Sequence, residues 1–408
     1  MARKALILVE GHRSNGPLYI QAAKRLGLHP ITLSRDPTQY DYLVSEKLEA
    51  IRVDTESFDA LIEECSQLHA TYDISGITGF TGLDESLYVT IAKLCQYFGL
   101  PGPNPASIEQ CSDKFIQRES LAESGVEMPA YRLAVNAIEI EEAAAEIGLP
   151  VIIKPAIGSG SSGVRMCCNV NEVKEHTAYL LGGMHRWRSS PRILVEEFAQ
   201  GNSYTALTMG NEVIGVTGNV FGPPPHFVYR EFTYPAMLSD YEQKRIADIS
   251  LRSLQALALG WGPANIEFRV TKRGPVVIEV NPRLAGGDPQ LVHLAHGVDL
   301  VSEHIKLVIG DDWNLRRTRS HTAAVRFLVP DRDGTLERTG SDSRAAAVPG
   351  VVEVKFYAQP NTPIALKGDY RDCIGHVIAA SPTGAQTAAI LQRAVDLVSW
   401  SITPFSGR

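Results

Sequence analysis

Val151-Ile-Ile-Lys-Pro-Ala-Ile-Gly-Ser-Gly-Ser-Ser-Gly-Val164 joins an apolar strand, a lysine near its end and a loop made only of glycine and serine. Glycine lets successive backbone N–H groups come close and point at one anion. Lysine adds a compact point charge for phosphate oxygens. Lys154 with Gly158, Ser159, Gly160, Ser161, Ser162 and Gly163 therefore reads as a phosphate cradle. It is not of the Walker type, because GxxxxGK[ST] is absent from the chain. The plainer alternative is a flexible hairpin beside a lysine whose stem snorkels.

A second signal follows more than a hundred residues later. Ala264-Asn-Ile-Glu-Phe-Arg269 and Val276-Val-Ile-Glu-Val-Asn-Pro-Arg283 read as two strands of a hairpin turning at Thr271–Pro275. Each carries an acid between apolar neighbours, so Glu267 and Glu279 should be buried and close. Such a pair is costly unless a cation holds it. Oxygen ligands from Glu267, Glu279 and Asn281 suit Mg²⁺, which keeps waters and shares substrate phosphates. The alternative is that both acids sit on a solvated sheet face. Asn281-Pro-Arg-Leu-Ala-Gly-Gly-Asp-Pro289 then sets Arg283 beside a glycine pair and a helix start, a place for a carboxylate or phosphoryl oxygen. By itself, that stretch would equally serve as a surface loop.

Outward from these motifs the chain reads as a multidomain globular protein. Its 408 residues allow roughly two to four domains. Hydrophobic residues at 44% supply ample core, and a net charge of −7 argues against non-specific nucleic-acid binding. No apolar run is long enough to span a membrane. The apolar start at Ala5–Val9 is interrupted at Glu10 with no cleavage-site pattern, so it reads as a buried strand rather than a signal peptide. The six cysteines lack metal or disulfide spacing, and Cys167 and Cys168 should face opposite ways on a strand. A reducing, cytoplasmic setting is the expectation.

Ala5–Val9, a turn at Gly11–Gly16, a helix over Leu18–Leu26 and a strand at Ile31–Leu33 predict an α/β, doubly wound start. The breaker-rich Gly99–Pro105 closes a first domain at about residues 1–105. One helix over Ser107–Glu123 should lead into a compact segment with strands Val151–Lys154, Val164–Cys168 and Ile193–Glu197, closing a second unit over 106–197. Residues 198–408 form a larger body, with helices expected over Asp240–Leu259, Pro289–His296 and Gly384–Trp400. His293 and His296 have no evident third ligand, and read as core or surface histidines. His12 lies in the first strand-to-helix turn, where doubly wound sheets bind ligands, although a plain surface turn accounts for it as well.

Taken together, the chain resembles the ATP-grasp superfamily, and within it the L-amino-acid ligases, or dipeptide synthetases. The resemblance spans nearly the whole chain. It rests on Cys111-Ser-Asp-Lys114, Ile153-Lys-Pro155 with its loop, Leu194-Val-Glu-Glu-Phe198, Asn265-Ile-Glu-Phe268 and Ile278-Glu-Val-Asn-Pro-Arg-Leu-Ala-Gly-Gly287. Leu291–Leu300, Ala324–Leu328 and Pro349–Val351 also look like this branch. The resemblance implies an ATP-grasp fold: a Rossmann-like pre-ATP-grasp domain, a small α+β lid and a larger α+β body. It implies a ligase joining a carboxylate to an amine through an acyl-phosphate, with ATP and Mg²⁺ (Mn²⁺ as the alternative ion). Lys114 and Lys154 would hold the phosphates under the Gly158–Gly163 loop. Glu196, Glu197 and Phe198 would meet adenine, Glu196 and Phe198 through their backbone. Glu267, Glu279 and Asn281 would carry the metal. Arg283, with Gly286 and Gly287, would face the carboxylate and its acyl-phosphate. The expected partners are small carboxylates and amines, the acceptor an amino acid, and a homodimer is compatible with this branch.

Two departures stand out. After the adenine strand the family has Gly-x-Glu-Tyr, with Glu on ribose; here Gly201-Asn-Ser-Tyr204 puts Ser203 in its place. Related ligases also carry a Glu and, three residues later, a His that receive an amino-acid substrate, the Glu taking its ammonium. Here those positions are Tyr229 and Phe232, with Arg230 and Glu231 between. The activated acid is then expected to be N-acylated or to carry a second carboxylate, unless Glu231 takes over by a small shift. Within the fold the alternatives are a carboxylase or a purine-type ligase; outside catalysis, an ATP-binding protein without activity. No second phosphate loop for a sugar phosphate occurs in residues 1–105, and an ATP binder alone has no need of Arg283.

Overall fold

The structure, a computed structural model, describes residues 2–80, 86–182, 192–340 and 342–405. At the N-terminus four parallel strands lie in the order Ala50–Arg52, His29–Ser34, Arg3–Val9, Tyr72–Gly79. Side chains alternate along the central strand. Ala5, Ile7 and Val9 bury against the helices Phe58–His69 and Ser86–Tyr97. Leu6 and Leu8 face Asn15–Arg25 together with Val301, Ile305 and Val308. Those last three come from Leu300–Val308, a helix of the C-terminal body with an apolar stripe at helical spacing. The N-terminal sheet thus has one face completed by the body, which fixes the two against each other.

The lid is a four-stranded sheet ordered Tyr131–Ala134, Ile193–Glu197, Val151–Pro155, Arg165–Cys167, with helices Ala137–Ile147 and Val170–Gly182 packed on one face. Cys167 is buried at the end of its strand, and Cys168, expected on the same strand, lies just beyond it and is exposed. The body is an eight-stranded sheet: Gly274–Asn281, Pro263–Thr271, Asn202–Met209, Glu212–Phe221, Tyr229–Tyr234, Thr322–Leu328, Gly375–Ser381, Val351–Phe356. Helix Asp240–Ala256 covers one face and Asp288–His296 the other. His296 is a core histidine whose Nδ1 is hydrogen-bonded to Tyr234 at 3.0 Å, while His293 is exposed. A three-stranded sheet and the helix Gly384–Val395 close the C-terminal end.

Two expected helices are shorter. The stretch 107–123 breaks at Asp113 into Pro105–Ser112 and Lys114–Glu123. The Asp113 carboxylate accepts from the N–H groups of Phe115 and Ile116 and so starts a new helix. Lys114 N–H donates out of the helix to Ala156 O (2.8 Å), which ties the lysine to the strand bearing Lys154. The closing helix ends at Val395, and Trp400 lies instead on the strand Ser399–Thr403.

Gly274–Asn281 is an edge strand, and its open side is sealed by polar groups from the preceding segment. The buried Gln117 carboxamide donates to Val280 O and accepts from Val280 N–H, both at 2.8 Å. Val277 N–H donates to Glu127 O. Gln117 thereby takes the place of a ninth strand next to the two acids. Gln117→Leu removes both partners from a buried backbone unit and should cost about 2–4 kcal/mol, read as a lowered midpoint in urea unfolding.

Candidate active site

Lid and body enclose an open cavity with about 140 Å³ of space for water-sized groups. Its roof is the glycine–serine loop. Gly158, Ser159, Gly160, Ser161 and Ser162 line it. Gly163 stands behind, its carbonyl 2.9 Å from His176 Nε2. Gly160 has φ +65°, and a Cβ there would come 2.4 Å from the Tyr370 ring, so only glycine fits under that tyrosine. Ser161 also holds a positive φ of 61°.

Under the roof, charges from four segments meet. Lys114 Nζ donates to Gly158 O at 2.5 Å and pairs with Glu279 Oε1 at 3.0 Å. Lys154 Nζ lies 2.6 Å from Glu196 Oε2, and Arg118 Nε donates to Glu196 Oε1 at 2.7 Å. Burial pushes the Lys154 pKa below the usual lysine range although Glu196 pulls the other way. Burial also works to raise Glu196, but Arg118 and Lys154 outweigh it and hold it below the usual carboxylate range. These pairs are desolvated, so removing one member leaves an uncompensated charge.

Glu267 and Glu279 stand directly opposite on the antiparallel hairpin, as do Asn265 and Asn281. Opposed side chains of this kind have Cβ atoms about 5 Å apart. Two full charges at that distance repel by about 3 kcal/mol at an effective dielectric of 20. Burial and then the charge of Glu279 raise Glu267 well above the ordinary carboxylate range. For Glu279 burial acts the same way, but Lys114 and Lys154 prevail and its pKa is lowered. Asn281 Nδ2 reaches Asn265 Oδ1 at 3.3 Å and Glu267 Oε1 at 3.5 Å. Among the described residues no three or more His, Cys, Asp or Glu gather at one point. The donor set of two carboxylates and a carboxamide fits an ion that completes its shell with water and phosphate oxygens, which is the habit of Mg²⁺.

The other expected residues divide. Phe198 and Glu197 line the cavity, but their amides serve the fold. Glu197 N–H donates to Ala130 O (2.8 Å) and Phe198 N–H to Pro150 O (3.3 Å). Ile193–Glu197 lies between two partner strands, and Glu196 is in register with both Tyr131 and Ile152. What Phe198 presents is its ring, and what Glu196 presents is its carboxylate. Tyr229 lines the cavity and packs on Phe221 and Phe232. Arg230 and Glu231 do not; they line a separate pocket with Arg326 and Trp400. Arg326 Nε donates to Glu231 Oε2 at 2.7 Å, so Glu231 is occupied and turned from the cavity. A register shift at Val220/Phe221 sets Tyr229 opposite Phe221 and Glu231 opposite Val220, which separates them onto different faces. Arg283 lines both the main cavity and a second one toward the N-terminal sheet, which Gly286 and His12 also line. Gly287, with φ +88°, precedes the helix Asp288–His296 and borders neither cavity.

Three residues escaped the sequence reading. Arg118 is fully buried under Glu196 and also donates to Ile278 O. Asn265 Nδ2 donates to Arg283 O at 2.9 Å and so fixes the loop that aims the arginine. Arg269 stands 5.6–5.9 Å from the ring centres of Phe198, Phe221 and Phe227, in register with Ser203. Its signal was available: residues 265, 267 and 269 alternate onto one strand face.

The comparisons with known proteins agree with this geometry. The ATP-grasp domain family matches residues 147–290, and L-amino acid ligase C-terminal domain 2 matches residues 326–403. The uncharacterised protein y4rH of Sinorhizobium fredii is 55% identical over 405 residues, covering 99% of this chain and 84% of that protein. Carnosine synthase 1 of Homo sapiens is 25% identical over 331 residues, covering 74% of this chain but 39% of its own length. The crystal structure of an L-amino acid ligase from Bacillus licheniformis superposes with a TM-score of 0.82 at 18% identity, covering 99% of this chain and all of that one. Fold and site together define an ATP-grasp ligase, an enzyme that forms carbon–nitrogen bonds at the expense of ATP. The chain belongs to one family with y4rH, and within the superfamily it resembles the L-amino-acid-ligase branch in its C-terminal domain.

One buried acid behind the site gives a pH signature. Asp288 is 4% exposed, its carboxylate takes the Thr217 hydroxyl at 3.0 Å, and burial raises its pKa to about 7. A carboxyl raised in the folded state favours folding while protonated; that contribution is fully present below the ordinary value of 3.8 and is lost progressively as pH rises from there through about 7. Asp288→Asn cannot ionise. Its melting temperature should exceed the wild type's at pH 8, with the gap narrowing as pH falls below about 7 and closing only near about pH 4.

Proposed function

We propose that the protein phosphorylates a carboxylic acid with ATP and couples the resulting acyl-phosphate to an amine, releasing ADP and phosphate. The observation that carries this reading is the cation ring of Lys114, Lys154 and Arg283 around the Glu267–Glu279 hairpin. A carboxylate attacking the γ-phosphorus meets a polyanion, so its approach requires neutralising charge already in place. Lys114 and Lys154 flank the phosphate path beneath the Gly158–Ser162 roof. Arg283 receives the carboxylate end. Bound at Glu267, Glu279 and Asn281, Mg²⁺ would supply charge neutralisation to the phosphates. The roof excludes water, which would hydrolyse the mixed anhydride. Phe198, Phe221 and Phe227 offer faces for adenine, and Arg269 beside Ser203 stands in for the missing ribose acid.

The acid itself is read from the wall around Tyr229. That wall is aromatic, with Phe221, Phe232 and Phe327 about the tyrosine, and Glu231 faces elsewhere. The carboxylates that act on Tyr229, Glu267 and Glu279, are the ones assigned to the metal, which leaves this wall without one to spare for a free α-ammonium among the described residues. An N-acylated amino acid or a dicarboxylic acid fits better, with an amino acid as the acceptor. No disulfide joins the six cysteines among the described residues, and no described helix is long and apolar enough to cross a membrane.

Phosphate release with MgATP across paired acids and amines tests the reading. Release should require both partners and should fall on the order of a hundredfold or more in Glu279→Ala. N-acyl amino acids or dicarboxylates should lead the acids; a plain L-amino acid as the best donor contradicts that assignment.

A further inference from the structure

The second cavity has about 60 Å³ of space for water-sized groups, room for a few heavy atoms. It lies where the first strand-to-helix turn of the N-terminal sheet meets the Arg283–Gly286 loop of the body. His12, Asn15 and Thr78 come from one side, and Arg283 and Gly286 from the other. Arg283 belongs to the wall of both cavities, so a group held in the small one sits beside the carboxylate end of the large one.

Two polar groups in this wall are specific. Asn15 is 4% exposed, its Nδ2 donates to Ala285 O at 3.4 Å, and its Oδ1 is buried with no hydrogen-bond partner. A buried acceptor without a donor costs about 1–3 kcal/mol, so such an atom beside a cavity points to a donor brought by a ligand. His12 Nδ1 accepts the Asn15 backbone N–H at 3.1 Å and lies 3.0 Å from Ser14 Oγ. A ring nitrogen that accepts a backbone N–H carries no proton, so the neutral ring bears its hydrogen on Nε2. That edge faces the glycine loop: a Cβ on Gly286 would stand 3.6 Å from His12 Cε1 and 4.0 Å from Nε2. Desolvation, with Arg283 adding to it, lowers the His12 pKa to about 4, in keeping with a neutral ring.

We infer that this cavity receives the reacting amino group of the acceptor, with Asn15 Oδ1 accepting one amine N–H and His12 Nε2–H donating to the acyl oxygen on which charge builds. The inference rests on the ligase reading and adds where the amine sits and what it must be. The described wall carries one formal charge, Arg283, and no carboxylate. The Arg283 guanidinium beside the cavity disfavours an ammonium ion and favours the neutral primary amine, the form that can attack. Attack forms the C–N bond, breaks the carbonyl–O bond to the phosphoryl group, and passes the displaced amine proton to the leaving phosphate. No other co-reactant is needed.

Hydroxylamine, a minimal amine that turns acyl-phosphates into hydroxamates detected as their coloured iron(III) complexes, is the probe. It is titrated at saturating MgATP, with N-acetyl amino acids and dicarboxylates as acids. Asn15→Leu should raise the KM for hydroxylamine about tenfold, the effect of one hydrogen bond, while the KM for the acid stays put. Asn15→Asp, which keeps an acceptor oxygen, should restore much of it. His12→Asn preserves an acceptor for the Asn15 N–H but shortens the donor's reach, and should lower kcat about tenfold or more with little change in either KM. Circular dichroism melts check that all three variants fold. Hydroxamate formed by the wild type with an unchanged hydroxylamine KM in Asn15→Leu overturns this inference alone. No hydroxamate from the wild type with any acid overturns the ligase reading and this inference with it.

Discussion

Glu267 and Glu279 oppose each other across one hairpin, out of water, and the surrounding architecture can be understood as the answer to that placement. Two carboxylates so close cannot both stay ionised without nearby positive charge. The charge comes from Lys114 at a helix start, Lys154 on the lid and Arg283 beyond the second acid. Each is held by its own device. Asp113 restarts a helix so that Lys114 turns inward, Glu196, itself held by Arg118, grips Lys154, and Asn265 pins the loop of Arg283. Lid, body and linking helices are thereby bound to one electrostatic centre rather than merely packed side by side.

That centre also divides the chemistry. On one side lie aromatic faces, the glycine–serine roof and two lysines, suited to a nucleotide and its phosphates. On the other lies a small cavity walled by the N-terminal sheet, with the lone formal charge of Arg283 among its described residues. Arg283 faces both, so the step that makes a mixed anhydride and the step that consumes it can share one cation. Placing the reacting groups together in this way supplies several kcal/mol of barrier reduction. Packing Leu300–Val308 against the N-terminal sheet keeps that second wall in position.

Much of this was legible in the sequence because it depends on short-range patterns. Apolar neighbours on both sides of each acid marked Glu267 and Glu279 as buried and close on one hairpin, and the run of glycine and serine marked the roof. What escaped depends on contacts across long separations or on irregular backbone. Gln117 and Arg118 look like ordinary helix-surface residues until the edge strand 163 and 160 positions away is brought beside them. The helix break at Asp113 needs the Ala156 carbonyl to receive Lys114 N–H. Arg230 and Glu231 were misassigned because a β-bulge ends simple alternation, and no local residue pattern announces it. Arg269 was the avoidable omission, since the alternation that exposed Glu267 also places it at the cavity.

The account stands on activation of the acid by phosphorylation between the two lysines and Arg283. The most direct measurement uses an accepted acid labelled with ¹⁸O in both carboxylate oxygens, turned over with MgATP and amine, and mass spectrometry of the released phosphate. An acyl-phosphate route predicts one ¹⁸O in each phosphate formed. Amide product accompanied by unlabelled phosphate, or by AMP and pyrophosphate, would contradict it.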